Sequence, residues 1–485
     1  MGAASSYHRR MRHTAPLLAL LLAGPLGGTP AQGQHDTLAA QVDTVMAEWA
    51  RPGSPGCAVG VVRDGGLVLA KGYGLADLEH GVPISPASVF DIASTSKQFT
   101  AATIVLLAQA GKLSLDDDVR RFVPELPRYD EAITIRHLLH HTSGLRDYTD
   151  LMALAGWQTE DWTTAEQALA MIVRQKELNF SPGAQYLYSN TGFFLLSVIA
   201  ARAGGKPFLD LARERIFEPL GMASTHFHAD HRVPVKDRAV GYAPREGAWS
   251  VSMSDWEQTG DGSVLTTIED LTRWVRNFDD PKVGGKALVD ELQRKGRLTS
   301  GEEIDYAEGL RHATYRGVAT VGHNGSWAGY RSSLLRFPSE RTAVIVLCNA
   351  ETAEAGTIAR NVADVALAGR LGPAAVSSPE PSPSPATGRP QPPVPGPAER
   401  TAISGRYRSE ELDTEIQVVA RDDGLVLRIR DRDSSLVPLK ADEFTVDDPL
   451  PLTVAVTRDA ARKVTGLTLT CGCDGFRTLR LVRAP

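Results

Sequence analysis

The sequence predicts an α+β protein followed by a small all-β unit. Three stretches carry that reading. Residues 309–347 hold short runs of strand-forming residues separated by turns, the pattern of antiparallel strands in one sheet. The segment 91–111, DIASTSKQFTAATIVLLAQAG, is apolar on nearly every side, as expected of a helix at the centre of a domain. Ten of the 25 residues from Pro373 to Pro397 are proline, and beyond them short alternating strands begin.

A chain of 485 residues exceeds one ordinary domain, and 42% hydrophobic with 23% charged residues is the composition of a globular protein. Arg9, Arg10 and Arg12 precede the apolar run Leu17 to Leu22, then Gly and Pro residues and Thr29-Pro30-Ala31. That order is a secretory signal peptide over residues 1–31, cleaved after Ala31, and predicts a secreted or periplasmic protein. The run is too short to span a bilayer, and no later segment approaches the needed length, so no stable membrane span is expected. Removing three arginines takes the formal charge from −6 to −9, which argues against a nucleic-acid partner.

Leu38, Val42, Val45, Met46 and Trp49 recur at helical spacing, and Pro52-Gly53 ends that helix. Strands Cys57 to Val62 and Leu67 to Tyr73 flank the hairpin turn Arg63-Asp64-Gly65-Gly66. Cys57 and Cys348 read as buried strand residues rather than as a disulfide, since sequence alone places no partner. Cys471 and Cys473 alternate on one strand face, too few thiols for zinc.

The helix after Asp91 carries Ser94 and Lys97, three residues apart and so on one face. An amine whose pKa is lowered by burial can take the serine proton, and a serine at a helix start faces free N–H groups that favour developing negative charge. A lone S-x-x-K also fits an ordinary helix cap, so the rest of the chain must decide. His137, His140 and His141 are expected to fix a loop rather than bind metal, and His226, His228 and His231 are read with the same caution.

Tyr188 and Asn190 precede the apolar helix Phe193 to Ala203, where a phenol and an amide two residues apart can point into one cavity. Asp261-Gly262-Ser263 leads into a helix over 268–278. In the meander, strands at 318–321 and 332–337 enclose the segment Gly322 to Gly329, whose glycines let a ligand or another backbone approach a strand edge. From Gly405 to Leu481, alternations such as Leu425-x-Leu427-x-Ile429 predict a small antiparallel barrel or sandwich without a catalytic constellation. That unit is expected to shape access or bind a partner.

The order Ser94-x-x-Lys97, Tyr188-Ser189-Asn190, His323-Asn324-Gly325 resembles the serine β-lactamase and penicillin-binding-protein superfamily. A leading tyrosine in the second motif and a histidine in the third narrow the resemblance to the class C β-lactamase-related serine hydrolases. These include esterases, D-amino-acid peptidases, D-alanyl carboxypeptidases and β-lactamases. The resemblance covers about residues 38–371, including His141-Thr142-Ser143-Gly144-Leu145. It implies a β-lactamase/transpeptidase-like antiparallel sheet flanked by helices, with a helical insertion, over 36–372. A proline-rich linker, 373–400, and a lipocalin-like β domain, 401–485, would follow.

By position, the resemblance makes Ser94 the acylated nucleophile, Lys97 the group that assists its deprotonation, and Tyr188 the general acid/base. Lys97 and His323 would help hold Tyr188 as phenolate or shuttle its proton. Asn190 would bind the substrate amide or carbonyl, and the backbone N–H groups of Ser94 and Ser326 would form the oxyanion hole beside Gly325. No cofactor or metal is implied, and the partner is a small-molecule or peptide substrate. The implied function is hydrolysis of a small ester or D-amino-acid amide through an acyl-enzyme, with weak or no β-lactamase activity because His323 stands where relatives have lysine. A true β-lactamase, a D-Ala-D-Ala carboxypeptidase and a catalytically silent scaffold are the alternatives; the oligomeric state is left open.

Overall fold

The computed structural model describes residues 30–373, 394–473 and 475–485. The expected signal peptide, apart from its last two residues, and the middle of the expected linker lie outside the described residues.

Six antiparallel strands form the main sheet, in the order Arg311–Tyr315, Val318–Trp327, Tyr330–Phe337, Thr342–Cys348, Cys57–Arg63 and Gly66–Tyr73. The N-terminal hairpin therefore completes a sheet begun near residue 311. In the two central strands, TAVIVLC and CAVGVVR, β-branched and small apolar residues dominate, because both faces are covered. Ala58, Val62, Ala343, Ile345 and Leu347 face a core shared with the helices Lys97–Gln109 and Ile268–Asp279. Their alternates Val59, Val61, Val344 and Val346 face a second core with Val42 of the helix Pro30–Val45, Met46 just beyond that helix, and Ile358 and Val362 of Ala355–Ala366. Each fully buried Val or Ile contributes roughly 1.5–3 kcal/mol.

Two expectations need correction here. Cys57 and Cys348, expected as unbonded strand residues, are joined as a disulfide; Cys471 and Cys473, whose pairing the sequence left open, form another. The first pair stands directly opposite across adjacent strands, with Cα atoms 4.0 Å apart, a relation set by topology between residues 291 apart in sequence. Second, the segment Gly322 to Trp327 is not a connection but the continuation of a strand, and the turn falls at Ala328-Gly329.

A helical insertion stands over one face of the sheet. Its helix Asn190–Gly204 packs on Lys97–Gln109, the shorter helices Ile135–Leu139 and Tyr148–Leu154 pack on it, and Ala165–Val173 packs on Tyr148–Leu154. Thr134 and His137 form a reciprocal cap at the start of Ile135–Leu139. His140 Nε2 contacts the Arg294 carbonyl, and His141 Nδ1 accepts the Ser189 N–H. The three histidines thus serve three separate backbone sites.

The C-terminal unit is a closed eight-stranded antiparallel barrel from Gly405 to Arg483, filled by Leu, Ile, Val and Phe side chains. The last residues of the expected linker are not extended: Pro397–Ile403 is a helix, with Ile403 buried and its carbonyl accepting the Tyr407 hydroxyl. Among the described residues, no single helix is long and apolar enough to cross a membrane.

Candidate active site

Ser94 lies in a 3₁₀ turn, Ala93–Ser96, that runs directly into the helix Lys97–Gln109. The turn begins with Ala93 at φ +47°, an uncommon conformation for a residue with a Cβ, held by its N–H donating to Asp91 Oδ1 at 2.7 Å. Asp91 is itself buried. The opposite side of the turn is locked to Tyr330–Phe337, the strand paired with the one that carries the third motif. Thr95 Oγ1 meets Ser332 Oγ at 2.9 Å, and Ser332 Oγ donates to the Ile92 carbonyl at 2.7 Å. A Cβ at Gly325 would stand 2.1 Å from that carbonyl oxygen, so this glycine admits backbone rather than ligand.

Lys97 is fully buried, and its Nζ donates to Ser94 Oγ at 3.1 Å, Asn190 Oδ1 at 2.8 Å and the Asp261 carbonyl at 2.6 Å. Burial pulls its pKa down to about 8, against the carboxylates of Asp261 and Asp147, which raise it. Asp261 is also buried, which lifts its pKa to about 6 despite the nearby Lys97 charge, and its Oδ2 accepts the Tyr148 hydroxyl at 2.9 Å.

Tyr188 places its ring 4.9 Å from Lys97 Nζ. Its Oη is buried without a hydrogen bond of ordinary geometry. Burial pushes its pKa well above the usual phenol range, and the neighbouring Ser94 hydroxyl offsets this only in part. Burial thus favours the neutral phenol, which fits the second of the two expected roles, shuttling of its proton, and Lys97 is the group poised near neutrality.

Asn190 opens its helix, donating its backbone N–H to Asp147 Oδ2 while its Nδ2 reaches Thr149 Oγ1 at 3.4 Å. Ser94, Asn190 and Ser326 line one cavity of about 70 Å³, with Trp256 and Trp327 as its aromatic walls. Tyr188 and His323 line an adjoining groove of about 470 Å³ that also holds Arg311 and Arg360.

His323 meets a neighbouring hydroxyl. Tyr306 Oη lies 3.0 Å from its Nε2, and its Nδ1 lies 2.6 Å from the Asn324 carbonyl. A carbonyl only accepts, so Nδ1 carries the proton and Nε2 receives the one from Tyr306. Burial, and then the Lys97 charge, hold the pKa at about 3.

The structure thus brings Lys97, Tyr188, Asn190 and Ser326 to Ser94, packs Gly325 on the turn that carries it, and sets the His323 ring 6.2 Å from that of Tyr188. It adds Tyr306, His141, Asp147, Thr149, Asp261 and Arg311. Asp147 follows the His141-to-Leu145 run by two residues, a signal that was available. Tyr306 sits in no motif. Arg311, donating to Tyr186 Oη at 3.0 Å, gains its place only from the strand pairing of the sheet.

A neutral-capable amine on a serine hydroxyl, a phenol beside both, and an amide at the cavity wall form an arrangement competent for nucleophilic acyl transfer. Comparison with known proteins agrees with the geometry. The Beta-lactamase family model matches residues 38–367. The D-aminopeptidase of Gluconobacter oxydans is 32% identical over 318 residues, 65% of this chain and 59% of that protein. Penicillin-binding protein 4* of Bacillus subtilis is 32% identical over 308 residues, 59% of this chain and 66% of that protein. The chain therefore spans less than two thirds of the length of these curated relatives. The octameric penicillin-binding protein homologue from Pyrococcus abyssi superposes over 92% of this chain and 99% of its own, with TM-score 0.61 and 25% identity. The chain belongs to the beta-lactamase family, within the wider group of serine β-lactamases and penicillin-binding proteins.

Proposed function

We propose that the protein is a serine hydrolase that acts through an acyl-enzyme on a small ester or a D-amino-acid amide or peptide, with weak or no β-lactamase activity. The observation that carries this is the buried Lys97 amine, 3.1 Å from Ser94 Oγ with its pKa drawn down to about 8. At pH 7 about a tenth of such an amine is neutral. Neutral Lys97 takes the Ser94 proton as Oγ attacks the carbonyl carbon. The Tyr188 phenol protonates the leaving amine or alkoxide as its bond to that carbon breaks, and Lys97 returns the proton to the phenolate. Water reverses the sequence and frees the acid. Donors at the Ser94 and Ser326 backbone stabilise the oxyanion, a contribution of about 3–4 kcal/mol per donor in comparable sites.

Three observations support the substrate class. Relatives named D-aminopeptidase favour a D-amino-acid amide. The neutral His323 offers no permanent charge to an anionic lactam, and the small Ser94 cavity favours a small acyl group. The two disulfides suit the oxidising environment of a secreted or periplasmic protein. A substrate panel tests the proposal: a short-chain nitrophenyl ester and D-amino-acid amides should turn over, and nitrocefin slowly or not at all. Efficient nitrocefin turnover with negligible ester and amide hydrolysis would make the protein a true β-lactamase.

A further inference from the structure

The C-terminal barrel lines neither the Ser94 cavity nor the adjoining groove among the described residues, yet it touches the segment that holds Asn190. The Gly475 carbonyl, two residues beyond Cys473, accepts the Asp147 N–H at 2.7 Å and the Asn179 amide at 3.3 Å. The Arg146 side chain, almost fully buried, donates to the Glu411 carboxylate at 2.7 Å and the Thr478 carbonyl at 2.8 Å, both in the barrel.

From that clamp a continuous chain of hydrogen bonds reaches the nucleophile. The Asp147 carboxylate accepts from the backbone N–H groups of Asn190 and Thr149. The Arg146 carbonyl accepts from Thr191 Oγ1 at 2.7 Å, and Tyr148 N–H returns to the same hydroxyl at 2.8 Å. Asn190 Oδ1 then receives Lys97 Nζ. Gly475 is required at its place, because its φ-independent space is already filled: a Cβ there would stand 1.9 Å from Asp150 Oδ2 and 2.6 Å from Asp150 Cβ.

We propose that the barrel is a positioning component of the acylation site, in which Gly475 and Glu411 hold the Arg146–Thr149 segment so that Asp147 seats Asn190 against Lys97. This rests on the serine-hydrolase reading above. It goes beyond the expectation that the barrel shapes access or binds a partner, and assigns it no catalytic group. A buried guanidinium paired with a carboxylate and a carbonyl is a rigid seat, since leaving it unpaired strands a charge away from water. Displacing the seat should therefore be felt at Asn190 rather than absorbed locally.

The test uses the full chain with Gly475→Val, Glu411→Gln and, as control, Glu410→Gln, whose exposed carboxylate pairs with the Lys176 ammonium rather than with Arg146. Each variant is measured for kcat, KM, the pH dependence of kcat/KM and amide hydrogen exchange over residues 145–150 and 188–192. Gly475→Val should lower kcat at least tenfold with KM changed less than threefold, and speed exchange in both segments. Its rate profile should shift to lower pH as the Asp147 charge leaves Lys97. Glu411→Gln, the milder change should Gly475→Val fail to fold, should show the same pattern at smaller size, and Glu410→Gln should match wild type. Wild-type kcat and exchange in a folded Gly475→Val or Glu411→Gln protein would overturn the proposal, as would faster exchange with unchanged kcat. Wild-type protein that turns over nothing and leaves Ser94 unlabelled by a fluorophosphonate would instead overturn the hydrolase reading.

Discussion

Tyr306 donates its hydroxyl proton to Nε2 of His323 at 3.0 Å, and this one bond fixes what the third motif can do. With Nδ1 committed to the Asn324 carbonyl, the imidazole has no free valence and stays neutral across the working pH range. His323 is thus a hydrogen-bonding wall of the groove, not a cation.

Tyr306→Phe should leave the half-buried Nε2 without a donor, a loss of about 1 kcal/mol in stability measured by denaturant unfolding. The pH midpoint of kcat/KM should not move, because His323 remains neutral. The folded pKa, at about 3, lies below the ordinary 6.5. The unfolded chain therefore binds the extra proton first, and the stability from neutral His323 is complete above 6.5 and lost as pH falls toward 3. An NMR titration showing a His323 midpoint near 6.5 in the folded protein would contradict this.

Lys97→Met separates activity from stability. A lysine whose folded pKa is about 8 instead of 10.5 costs the fold about 3 kcal/mol at pH 7, and that cost vanishes as pH rises past 10.5. Three lost hydrogen bonds work in the opposite direction. Turnover should fall by about a thousandfold while the unfolding midpoint at pH 7 does not drop. A variant that keeps turnover, or that unfolds far more readily than wild type, would show that the amine is structural.

The disulfide Cys57–Cys348 ties the two central strands across a sequence separation of 291. Replacing both cysteines by alanine should lower stability by about 2–4 kcal/mol, chiefly by freeing the unfolded chain. Unchanged unfolding midpoints with and without reductant would show that the bond is absent or without effect.

Ser94 and Lys97 were legible because their relation is local, three residues on one helical turn, and Tyr188 with Asn190 because they sit two apart at a helix start. The barrel was legible from the alternation of Leu425, Leu427 and Ile429, all of which point inward. What escaped depends on topology. Cys57 meets Cys348 only because the first strand pairs with the last of the sheet, and Tyr306 meets His323 only once the chain between them has turned into two strands. The protonation of Tyr188 was open for a different reason: the phenol's proximity to a cation could be guessed, but the depth at which its hydroxyl is buried, which favours the neutral phenol, could not.

The account rests on Ser94 as the single covalent nucleophile, and its most direct test is labelling of the intact protein with a fluorophosphonate followed by peptide mass mapping. The label should fall on Ser94 alone, and Ser94→Ala should neither take the label nor hydrolyse the ester. Label on another residue, or wild-type turnover by Ser94→Ala, would contradict it.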